Sequence, residues 1–181
     1  MALWGISDAD ESKPKWLTDA DKKKVYADAS GWRFENPKSG ATDEILCAVS
    51  GLAVSIGSAD ITEIEFISTA FDKSEGGTLS VRVRFNEAVA VTGTPQLTVV
   101  NDQRANHTLS YASGTGSNEL VFSLVIGAAN AATSDGDVLS IGANAMALNG
   151  GTVKDNGTST NATITNIAGI GTAAGTITVA A

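Results

Sequence analysis

The chain has 181 residues, of which 43% are hydrophobic and 18% charged, with a formal net charge of −8. That balance supports a folded core and argues against wholesale disorder. An acidic surface repels phosphate, which excludes nucleic-acid binding unless a basic patch is present locally, and the one lysine run, Lys22-Lys23-Lys24, sits among Asp19, Asp21 and Asp28.

The composition changes near residue 60. Residues 1–60 hold all three tryptophans, Trp4, Trp16 and Trp32, and most of the lysines. They read as an N-terminal arm or attachment region. The opening residues mix Asp8, Asp10, Glu11, Lys13 and Lys15, where a secretory signal needs an unbroken apolar stretch, so none is expected. Pro14 blocks a regular helix through its segment. Thr18 then has the character of an N-cap, with Asp19 and Asp21 in the first turn and lysines following, as the helix dipole favours. This predicts one short helix over residues 18–29, closed near Gly31. Residues 44–50 read as a strand or a short buried segment, and the rest of the region as extended arm.

Residues 61–168 read as strands. Leu79, Val81, Val83 and Phe85 alternate with Ser80, Arg82 and Arg84, a period of two that sends apolar groups to one face. Ile64 and Phe66 alternate with Glu63 and Glu65, which read as the solvated face of a strand. Leu97 with Val99, Leu109 with Tyr111, and Leu120 with Phe122 and Leu124 repeat the pattern. Shorter strands are expected at 138–141, 145–148 and 162–167. Gly76-Gly77, Gly93-Thr94-Pro95, Gly114-Thr115-Gly116 and Gly150-Gly151 supply turns between them. Strands at this spacing with no helical period argue for an antiparallel sandwich. Residues 169–181 read as a small, flexible tail with room for a final strand at 176–179, which leaves pairing with a second copy as an open alternative. No run of about 18 apolar residues occurs, so no membrane span is expected.

The chemistry-bearing residues are sparse. Cys47 and His107 are single, too few for a disulfide or a zinc site of usual spacing, and no metal or cofactor is expected. Cys47 lies in an apolar run and reads as a buried thiol, and His107 as polar surface. Asp135-Gly136-Asp137 offers calcium oxygens but lacks the further acids of an EF-hand loop and reads first as a turn. Residues 169–174 match a dinucleotide fingerprint formally, without the βαβ setting or the later acidic residue it needs. Sequons at Asn106, Asn156 and Asn161 stand without a secretion signal. No Gly-x-Ser-x-Gly elbow and no converging acids occur, and no catalytic residue is assigned. The tryptophans remain. Interface hot spots favour Trp, and the alternative is that the arm folds back over its own core.

Two resemblances bear on this choice. Trp4-Gly5, Lys13-Pro14-Lys15-Trp16-Leu17 and Ala20-Asp21-Lys22 resemble the start of virion structural proteins of tailed cyanophages and related marine phages. Val83-Arg84-Phe85-Asn86-Glu87-Ala88-Val89, Thr92-Gly93-Thr94-Pro95, Leu120-Val121-Phe122 and Leu148-Asn149-Gly150-Gly151-Thr152 resemble an immunoglobulin-like repeat of bacterial surface and adhesin proteins. Together they imply a mostly β chain: an immunoglobulin-like antiparallel β-sandwich preceded by an extended arm with one short helix. They imply a capsid decoration, or cement, protein of the outer virion surface, whose partner is the major capsid protein. The anchor set is then Trp4, Lys13, Pro14, Lys15, Trp16, Leu17 and Trp32. A tail or fibre adhesin contacting host-surface glycans is the alternative.

Overall fold

The computed structural model describes residues 13–28, 31–38, 41–48, 58–128, 130–157 and 159–181. In chain order the elements are α1 (Asp19–Lys22), β1 (Val25–Asp28), β2 (Gly31–Phe34), β3 (Glu44–Ala48), β4 (Ile61–Phe66), β5 (Phe71–Asp72), β6 (Gly77–Thr92) and β7 (Gln96–Asn101). They continue with β8 (His107–Ser113), β9 (Ser117–Ile126), β10 (Val138–Ser140), β11 (Met146–Ala147), β12 (Thr152–Asp155), α2 (Ala168–Ala173) and β13 (Ile177–Ala180). The chain is mostly β, and its larger sheet curls on itself into a sandwich-like body. No helix among the described residues is long and apolar enough to cross a membrane.

The large sheet runs β12-β6-β9-β8-β7-β10-β13-β5, with β4 on β6 and β11 on β7. Its centre is the pair the alternation predicts. β6 and β9 run antiparallel from Gly77↔Ile126 to Arg84↔Glu119. Leu79, Val81, Val83 and Phe85 of β6 are fully buried, as are Leu120 and Phe122 of β9. Each such side chain contributes about 1.5–3 kcal/mol over exposure, and Tyr111 meets Phe122 edge-on with ring centroids 6.1 Å apart. β6 then breaks its period: Phe85 and Asn86 are both buried, and the pairing resumes only at Val89↔Ser117. This bulge lets one strand serve β9 and β4 in its first half and β12 in its second.

The N-terminal region differs from the expectation in two ways. The helix occupies only Asp19–Lys22. Thr18 caps it as read, its Oγ1 accepting from the Asp21 amide at 3.2 Å. The helix ends early because Val25 is drawn into β1, where it pairs with Phe34 and is buried. The described residues after α1 form an antiparallel sheet, β1-β2-β3, in place of extended arm.

The C-terminal expectations also shift. Residues 162–167 form no strand and make one isolated bridge, Asp60↔Thr163. Asn166 does the pairing with its side chain: Nδ2 donates to Gly142 O at 2.9 Å and Oδ1 accepts from the Ala145 amide at 2.9 Å. The expected tail is a helix and a strand packed on the body. Ile170 is buried, and Gly171 sits so close that a Cβ there would lie 2.3 Å from Ile141 O. β13 pairs with β10 on one side and β5 on the other, so neither of its edges is free for a second copy.

Candidate partner-binding surface

The segment Lys13 to Leu17 is a braced turn. The Leu17 amide donates to Pro14 O at 3.3 Å, which makes Lys15 and Trp16 its two corner residues. Pro14 is buried, and Lys13 reaches inward to donate from Nζ to Lys22 O at 2.6 Å. That carbonyl closes α1, where a cation also suits the helix dipole. α1 is held in turn by the Thr18 cap and by the Lys22–Asp19 ion pair at 3.2 Å. The result presents Trp16 outward at 71% exposure beside exposed Lys15.

The expected anchor residues therefore separate. Lys15 and Trp16 are presented, Leu17 is half-buried, and Lys13 and Pro14 are the buried brace beneath them. Trp32 is 4% exposed. It lies on β2 between Ala27 and Cys47 and packs within its own chain, so it offers no indole to a partner. Trp4 lies outside the described residues.

A second feature joins the N-terminal sheet to the sandwich. On the outer face of β4, β6 and β9, charges alternate across strands. Lys38 Nζ meets Glu63 Oε1 at 2.8 Å, and Arg84 Nη1 meets Glu63 Oε2 at 3.0 Å. Arg84 also holds Glu119 through Nη2 at 2.5 Å, and Arg82 pairs with Glu65 and with Glu119. The Arg84 side chain holds the Glu119 carboxyl below its ordinary range. A cleft of about 200 Å³ opens beside this ladder, lined by Phe34, Asn36, Lys38, Glu44, Glu63 and Arg84. Asn36 Nδ2 donates to Thr62 O at 3.2 Å across the same seam. Glu63 and Glu65 are thus ion-paired, where the alternation alone reads them as solvated. The matching alternation of Arg82 and Arg84 in the next long strand was the available signal.

The remaining polar residues are structural in their surroundings. His107 is buried where the sequence suggests surface, with Nε2 3.4 Å from Thr133 Oγ1, and burial lowers its pKa. It is buried because it opposes Val99 in the β7–β8 ladder. Asp137 is buried in the turn before β10 and accepts from Asn101 Nδ2 and the Ser134 amide, each at 2.9 Å, with Arg104 at 3.3 Å. Its carboxylate is committed to protein donors. Cys47 is half-buried. Among the described residues no group of three His, Cys, Asp or Glu is placed to hold a metal ion. Comparison of the chain with protein-family models, curated proteins and solved structures finds no match.

Proposed function

We propose that this chain is a phage capsid decoration protein that binds the major capsid protein through its N-terminal region and displays the sandwich outward. The carrying observation is Trp16, 71% exposed on a turn braced by Lys13 and α1. A large indole held in water by a rigid turn gains by burial in a partner's pocket, and its ordering cost is already met within the chain. The lysine-rich turn and helix, with five lysines against two aspartates between residues 13 and 24, stand apart from a chain of net charge −8 and favour an acidic rim around that pocket. Many copies on a shell multiply such contacts, and contacts made only in the assembled state stabilise that state. The start of the sequence, with Trp4 and Lys13-Pro14-Lys15-Trp16-Leu17, is the link to virion proteins.

The test is copy number in purified particles, by quantitative mass spectrometry against the major capsid protein. A ratio near one copy per capsid subunit, or per few subunits, supports decoration. A handful per particle moves the protein to the tail and makes it an adhesin, and absence from particles refutes both readings.

A further inference from the structure

The β6 bulge holds a carboxyl pair that neither the fold nor the attachment surface accounts for. Glu87 lies in the bulge, and its Oε1 is buried with no hydrogen-bond donor facing it. Beside it stands another carboxyl, Asp155, 2% exposed at the end of β12, which pairs with Val89 two residues further along β6 and so shares a face with Glu87. Two carboxylates repel, and a hydrogen bond between them needs a proton. The other charged groups acting on Glu87 are Asp60, just before β4, and Arg33 of β2. Lys154 neighbours Asp155 on β12 and points to the opposite face, as strand alternation requires.

We infer that Glu87 and Asp155 share one proton, and that this proton latches the end of β12 and its following turn onto the β6 bulge. The turn depends on Asp155 for its shape. Asp155 Oδ1 accepts from the Gly157 amide at 2.6 Å, and its carbonyl accepts from the Ser159 amide at 2.9 Å. The Asn156 amide donates back to Ala88 O of the bulge at 2.9 Å. The turn then leads to Thr163, whose amide donates to Ala59 O at 2.7 Å and whose backbone bridges Asp60. The latch therefore sits where the chain passes from the N-terminal sheet into the sandwich. Burial first, then Asp155, push Glu87 up to about 7, so the proton leaves as the solution passes through neutrality. Once it is gone, the Glu87 carboxylate faces the carboxyl groups of Asp155 and Asp60 with no bridging proton, and the turn opens more often.

The test is amide exchange by NMR on the full chain at pH 5.5, 7 and 8.5, corrected for intrinsic exchange, read at Asn156, Gly157 and Ser159. Protection is expected to fall about tenfold per pH unit between pH 5.5 and neutrality in the wild type and to level off above it, the consequence of one proton bound more tightly in the closed turn than in the open one. Glu87→Gln donates to Asp155 without titrating, and its protection is expected to stay flat. Carbon-13 titration of the Glu87 carboxyl in the wild type provides a reading that needs no variant. A midpoint near 4.5, wild-type protection independent of pH, or a pH-dependent loss retained in Glu87→Gln would each overturn the latch.

Discussion

Replacing Trp16 and Trp32 separately by alanine distinguishes the proposed attachment surface from the fold. Trp32 is 4% exposed, and truncating a buried tryptophan costs about 3–5 kcal/mol. That is a large fraction of the roughly 5–15 kcal/mol that holds a domain folded. Trp16 is 71% exposed. Taking about 250 Å² for a tryptophan, about 180 Å² of it faces solvent and about 70 Å² is covered. At about 25 cal/mol per Å², the covered part bounds the stability cost of Trp16→Ala below about 2 kcal/mol. The uncovered part offers at most about 4.5 kcal/mol to a partner, before any ordering cost. A hot-spot value of about 2 kcal/mol then corresponds to a roughly thirtyfold weaker Kd. The assay pairs thermal unfolding of each variant with co-sedimentation on particles stripped of the protein. Trp16→Ala is expected to melt close to wild type and to bind weakly. If Trp16→Ala sediments with wild-type affinity, or melts as low as Trp32→Ala, the exposed indole is not an anchor.

Three further variants test the sandwich. Gly114 has φ +115, and a Cβ there would lie 2.0 Å from Glu119 O, so Gly114→Ala is expected to lower stability by about 2 kcal/mol or more, read as a drop in Tm. Arg84→Met leaves Glu63 and Glu119 facing each other without their shared cation. Because Arg84 is partly exposed, the loss is about 1 kcal/mol, and it shrinks in high salt when followed by chemical denaturation. The same variant tests pH dependence. Glu119 sits below its ordinary 4.5, so its contribution is present above that value and is lost as pH falls through the folded value; Arg84→Met should flatten this acid limb. His107 is held below its ordinary 6.5 by burial, so the unfolded chain takes up a proton first and stability falls as pH drops below that value, a slope that His107→Gln should remove from a Tm series.

The sandwich was legible because its strands carry their own signal. Leu79 to Phe85 alternate strictly, and every inward residue of that run is fully buried. The misread segments are those where tertiary contacts outweigh local pattern. Residues 18–29 have a helix start, but nothing local reveals that Val25 pairs with Phe34. Residues 162–167 look like a strand, yet the Asn166 side chain takes the backbone partners that a neighbouring strand would supply. Residues 169–175 look flexible because Gly and Ala dominate, while the structure uses the absent Cβ of Gly171 to seat a helix on Ile141. Which tryptophan is exposed was not legible for the same reason. Trp16 and Trp32 are equivalent by composition, and only the β1-β2-β3 pairing distinguishes the one that is buried.

β6 ties these features together. Its first half carries Arg82 and Arg84, which bind β4 and β9 through glutamates, and Lys38 extends that ladder to the N-terminal region. Its bulge carries Asn86, whose amide and side chain hold Asp60 at the entry to β4 at 3.0 and 2.8 Å, and Glu87, which faces Asp155. On the proposed reading, a load applied at Trp16 passes through the Lys13 brace and the small sheet to this seam. The ladder is solvent-facing and weakens with salt, whereas the bulge contacts are buried and answer to a proton. Two sets of contacts with different sensitivities on one strand mean that salt should loosen the seam with the N-terminal region while the β12 turn stays held to the bulge. A pH above neutrality should instead open the β12 turn and leave the ladder in place, so the two perturbations act on different ends of β6.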